Sequence, residues 1–105
     1  MTDRELLELA AKAAGAEWVN NEYESGWILG DCWWNPLTDD GDALRLAVKL
    51  GLDIESDLPA HLVEVWFPNG INTCGSVYEP YGNDPYAATR RAIVRAAAEI
   101  GKDMK

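Results

Sequence analysis

Apolar residues recur every three to four positions in three stretches of the chain and crowd together in two regions between them, which predicts three helices and two strand-rich regions. Leu6, Leu9, Ala10 and Ala13 fall on one helical stripe. Before them, Thr2-Asp3-Arg4-Glu5 has capping-box spacing, and Gly15 stands where a left-handed residue ends a helix, so a first helix is predicted over about residues 3–14. Glu17 to Trp34 is rich in Trp, Val, Tyr, Ile and Leu and is broken at Ser25-Gly26, predicting two strands joined by a short turn. As one strand, Gly26 to Trp34 would put Trp27, Leu29 and Trp33 on one face and Ile28, Cys32 and Trp34 on the other. Apolar residues on both sides describe a central strand covered on part of each face.

Asn35-Pro36 ends that strand, and Thr38 or Asp39 can cap a second helix whose positive end Asp40 and Asp42 complement. Its predicted core stripe is Leu44, Ala47 and Val48, before Gly51. Asp53 to Pro59 reads as a polar link. His61 to Phe67 has strand composition, Pro68-Asn69-Gly70 is a turn signal, and Thr73 to Glu79 is the expected hairpin partner. After the loop 80–83, Asp84 as cap and Pro85 as first helical residue begin a last helix over about 85–100, with Ile93, Ala96, Ala97 and Ile100 as its stripe and Gly101 after it. The order α-β-β-α-β-β-α predicts an α+β fold: a mostly antiparallel sheet of about four strands layered with helices, an α/β/α sandwich, in one domain spanning 1–105.

Charge narrows the function classes. With eighteen acidic residues against nine basic ones, the net charge is −9 and repels phosphate backbones, so direct nucleic-acid binding is not expected. Residues 1–83 hold fifteen acids and four bases, whereas 84–105 hold three acids and five bases. No basic leader segment and no apolar run of membrane-spanning length occurs in this sequence, and a cytoplasmic protein is expected.

Candidate chemistry is sparse. His61, the single histidine, has no His or Cys at metal-ligand spacing, and Cys32 and Cys74 form no CxxC pattern, so neither a metal site nor a catalytic thiol is expected. Asp39, Asp40 and Asp42 are the densest carboxylate cluster, but they lack the alternation of a calcium loop and suit helix capping. The glycines form no phosphate-cradling pattern, and no cofactor is expected. Arg90, Arg91 and Arg95 make a basic helical surface that is the candidate contact for an anion; Arg95 can also pair with Glu99. Adjacent Trp33 and Trp34 must point to opposite faces of a strand. Asp39, Asp40, Asp42, Asp53, Glu55 and Asp57, with Trp34, are the candidate partner-binding set, because seven acids against two bases between residues 31 and 57 attract a basic protein surface.

Two segments carry a resemblance. Cys32-Trp33-Trp34-Asn35-Pro36-Leu37-Thr38-Asp39-Asp40-Gly41-Asp42-Ala43-Leu44-Arg45-Leu46-Ala47 and Asp84-Pro85-Tyr86-Ala87-Ala88-Thr89-Arg90-Arg91-Ala92-Ile93 resemble the phage ABA sandwich domain family. The resemblance implies a sheet layered between helices and a small phage or prophage protein, and it brings no catalytic residue with it. Together with the charge, it leads to the expectation of a non-enzymatic phage accessory protein that binds a protein in the host cytoplasm. The alternatives are an inhibitor of an anti-phage defence system whose acidic face imitates nucleic acid, and a small-ligand or nucleotide-binding protein using the arginine helix.

Overall fold

The structure is a computed structural model describing residues 1–70 and 73–104. Its elements run α1 (Asp3–Ala14), β1 (Glu17–Asn20), β2 (Ser25–Leu29), β3 (Cys32–Trp34), α2 (Asp40–Leu50), β4 (Asp53–Asp57), β5 (Leu62–Pro68), β6 (Cys74–Pro80) and α3 (Pro85–Lys102). All strand pairings are antiparallel, and the α+β class holds. The strands divide into two sheets of three, β1-β2-β3 and β4-β5-β6, rather than one sheet of about four.

Local chemistry sets the helix starts. The Thr2 hydroxyl accepts from the Glu5 N–H while the Glu5 carboxylate accepts from the Thr2 N–H, a reciprocal cap. Accepting that N–H holds the Glu5 carboxyl below its ordinary pKa. Asp39 caps α2 by accepting from the Asp42 N–H, and Asp84 caps α3 by accepting from Tyr86 and Ala87, with Pro85 at the first helical position. Gly15 and Gly51 close α1 and α2 at φ of 82° and 67°, which L side chains rarely adopt.

Two connections depart from the sequence reading. The segment 26–34 is a hairpin rather than one strand: Gly30 and Asp31 form a two-residue turn, Gly30 at φ 65°, and Leu29 pairs with Cys32. That turn resets the alternation, so Trp27 shares a face with Trp34, its cross-strand partner, and Trp33 shares one with Ile28. The break expected at Ser25-Gly26 falls inside β2, and the β1–β2 connection is 21–24, where the Asn21 carboxamide accepts from the Tyr23 and Glu24 N–H groups. The segment 53–57, expected as a polar link, is the edge strand β4.

The core gathers around α3, which packs against β5 and β6 and also against α1 and α2. It contributes Ala92, Ile93, Val94, Ala96, Ala97 and Ala98, buried on most of the helix circumference, opposite Val63, Val65 and Phe67 of β5. The stripe of α2 is rotated from the one expected: Ala43, Leu46 and Ala47 are buried, whereas Leu44 is 59% and Val48 74% exposed. Small alanines let α3 approach closely, and the larger Leu44 and Val48 are left outside. Gly101 does not end α3, which runs on to Lys102; a β-carbon at Gly101 would lie 2.0 Å from the Leu9 carbonyl oxygen of α1.

Candidate functional site

The second sheet has one covered face and one open face, and its register identifies both. Val63, Val65 and Phe67 turn inward, so their neighbours Leu62, Glu64 and Trp66 turn outward. Across β4, Trp66 faces Asp53, Glu64 faces Glu55 and Leu62 faces Asp57; across β6, Trp66 faces Ser76 and Glu64 faces Tyr78. The open face is therefore a row of carboxylates, Asp53, Glu55 and Asp57, beside Glu64, with the exposed aromatics Trp66 and Tyr78 next to them.

Glu55 opposite Glu64 sets like charges across a strand pair, an arrangement that is unfavourable without a counter-charge. Among the described residues none of these four carboxylates makes an ion pair. The Glu64 carboxylate accepts from the Ser76 hydroxyl at 2.9 Å. Every described Lys and Arg is engaged elsewhere. Arg4 meets Glu8, Lys12 the Met104 carbonyl, Arg45 Asp42 and Lys49 the Ala14 carbonyl. Arg90 meets Asp40, Arg91 meets Asp3, Arg95 meets Glu79 and Lys102 meets Glu99.

The other acids of the candidate set lie apart from this face. Asp39 and Asp42 line an open cleft of about 500 Å³ with Trp27, Trp33, Trp34 and Arg45, between the first sheet and the start of α2. Their charge is matched locally: Arg45 lies 2.8 Å from Asp42 and 3.8 Å from Asp39, and the Asp42 hydrogen bond raises the Arg45 pKa. Asp42 is buried and also accepts from the Asn35 N–H at 2.9 Å, tying the end of β3 to α2. It is thus a structural strut. Asp42→Ala is expected to cost about 1–3 kcal/mol, because it strands a part-buried N–H, while Asp42→Asn retains an acceptor and costs less. Denaturant midpoints of the two variants check the order.

Trp34 is 4% exposed and sits in the shared core, so it offers little surface to a partner; the exposed member of the pair is Trp33, at 49%. Burial follows from the reset alternation, which puts Trp34 and Trp27 on the face that joins the core. Arg90 donates to the Leu37 carbonyl and to Asp40 at 2.6 Å, which brings α3 onto the start of α2. Arg91 reaches Asp3 at 2.7 Å and Glu79 at 3.3 Å, and its pKa is raised chiefly by the Asp3 hydrogen bond. Arg95 donates to the Tyr78 carbonyl and Glu79, whereas Glu99 pairs with Lys102. The three guanidiniums thus bind the fold's own carboxylates and carbonyls, and the resulting contacts join helices to strands.

Cys32 lies in the first sheet and Cys74 at the start of β6 in the second, both exposed, while His61 occupies the β4–β5 turn at φ 55°. Among the described residues no group of three His, Cys, Asp or Glu side chains is arranged to hold a metal ion. No helix among them is long and apolar enough to cross a membrane.

Glu64, Trp66 and Tyr78 were not singled out by the sequence reading. A tryptophan at the outward parity of a strand whose inward positions are Val63, Val65 and Phe67 was the available signal. No family model, curated protein or solved structure matches the chain.

Proposed function

We propose that this chain is a non-enzymatic binding protein whose partner is a protein presenting a basic surface to the open face of the second sheet. The observation that supports this reading is the set Asp53, Glu55, Asp57 and Glu64, four carboxylates without an ion pair among the described residues, flanked by Trp66 and Tyr78. Such a face steers a cationic partner into contact, and its aromatics then supply apolar area and cation–π contacts for Lys or Arg. The resemblance of residues 32–47 and 84–93 to the phage ABA sandwich family is what supports reading it as a phage accessory protein working in the host cytoplasm.

The narrower reading, an inhibitor of a host defence system, draws on the same feature. Carboxylates at alternate positions of an extended strand recur about every 6.8 Å and offer a basic groove a regular row of negative charge.

The test uses a partner isolated with the wild-type protein. The combined Asp53→Asn, Glu55→Gln and Asp57→Asn variant is expected to associate about tenfold more slowly at low salt, with the difference vanishing towards 1 M salt as screening shortens to about 3 Å. Its stability should change by no more than about 0.5 kcal/mol, since these are exposed side chains. Equal association rates for variant and wild type at low salt would exclude the acidic face as the contact.

A further inference from the structure

β4 is an edge strand of unusual make-up. Among the described residues it pairs only with β5, all five of its residues are exposed, and its other edge therefore presents backbone N–H and C=O groups to solvent. The two faces flanking that edge differ in chemistry. On the outer face stand Asp53, Glu55 and Asp57. On the inner face Ile54 forms one wall of a groove of about 200 Å³, whose other walls include Leu44 of α2 and Tyr86 and Ile93 of α3. Leu44 and Tyr86 are largely exposed there, so the groove, which Asp40, Thr89 and Arg90 also line, has a mainly apolar lining that no described residue fills.

We infer that the partner supplies an extended segment that adds to the free edge of β4 as a fourth strand, with Lys or Arg at alternate positions and apolar side chains between them. This rests on the reading of the acidic face given above and names what occupies it. In an added strand, side chains alternate between faces. One set falls beside Asp53, Glu55 and Asp57, where positive charge is matched, and the other falls over the groove at Ile54 and Leu44, where apolar side chains are matched. Charge complementarity selects this occupant over a second copy of the chain. Two β4 strands paired edge to edge would bring Asp53, Glu55 and Asp57 against the same three residues, and like charges at that distance repel.

The experiment uses two capped octapeptides of identical composition, one alternating lysine and valine and one with four lysines followed by four valines, titrated into the full chain at low salt. The alternating peptide is expected to bind at least about tenfold more tightly, the worth of one well-buried anchor, and to slow amide exchange at residues 53–57. Leu44→Glu, at an exposed position, should abolish the preference between the peptides, whereas the triple variant at 53, 55 and 57 should weaken both. Equal binding of the two peptides without protection of 53–57 would overturn strand addition and leave the acidic-face reading intact. Failure of both peptides to bind would overturn both readings. Amide protection at 53–57 that rises with protein concentration alone would assign the edge to a second copy and overturn the proposal.

Discussion

Gly101→Ala is expected to destabilise the protein by about 2–3 kcal/mol and to lower its melting temperature by about 10–20 °C. Gly101 lies inside α3, where alanine is ordinarily the better residue by about 1 kcal/mol, so helix propensity alone predicts stabilisation. Packing opposes it: the added methyl would stand 2.0 Å from the Leu9 carbonyl oxygen and 2.8 Å from its carbon. Because both are backbone atoms, no rotamer change relieves the overlap, and the α1–α3 interface must open. The sign of the change is therefore decisive. Thermal denaturation showing an unchanged or raised melting temperature would mean that α1 does not approach α3 this closely. Trimming Leu9 to alanine in the same background should give no rescue, since its side chain is not the obstacle.

The second large effect separates two neighbouring tryptophans. Trp34→Ala is expected to cost about 3–5 kcal/mol, the usual range for emptying a large aromatic site in a core. Trp33→Ala should cost about 1 kcal/mol or less, because about half of that side chain is already in water. The ordering depends on the hairpin at Gly30-Asp31, which decides which indole turns inward. Urea denaturation of both variants gives the comparison. A larger loss from Trp33 than from Trp34 would show that the β2–β3 register is wrong by one residue, since a one-residue slip exchanges the faces.

What the sequence disclosed depended on how local each cause was. The helix starts were legible because Thr2 with Glu5, Asp39, and Asp84 with Pro85 act on N–H groups two or three residues away. The Gly30-Asp31 turn was hidden inside an apolar run where either Gly26 or Gly30 could mark a break, and only pairing with the neighbouring strand distinguishes them. β4 was missed for a similar reason: Asp53-Ile54-Glu55-Ser56-Asp57 has little strand propensity, and its conformation comes from the ladder with β5. On α2, both Leu44-Ala47-Val48 and Ala43-Leu46-Ala47 satisfy helical spacing, and the choice between them is made by α3, some fifty residues away.

The candidate site divided along the same line. Acidity at 53, 55 and 57 was readable from residue types alone, but that the three carboxylates share one face with Glu64, Trp66 and Tyr78 required the register of three strands. The partners of the arginines were not readable, because Arg91 to Asp3 spans 88 positions and Arg90 to Asp40 spans 50. A basic helical surface in the sequence became, in the fold, a set of links between distant elements.

The dependence of α1 on α3 also bears on how the protein is made. Within this chain α1 is synthesised well before α3, yet α3 supplies most of its packing surface, through Gly101 against Leu9, Arg91 with Asp3, and Lys12 with the Met104 carbonyl. While translation proceeds, Leu6, Ala10 and Ala14 therefore have only the smaller contact with α2 to dock on, and the nascent chain carries an incompletely covered amphipathic helix until residues near 100 emerge. Folding is then a late event, completed after synthesis of α3 rather than step by step from the amino terminus, and a message truncated before that helix would yield a product open to proteolysis.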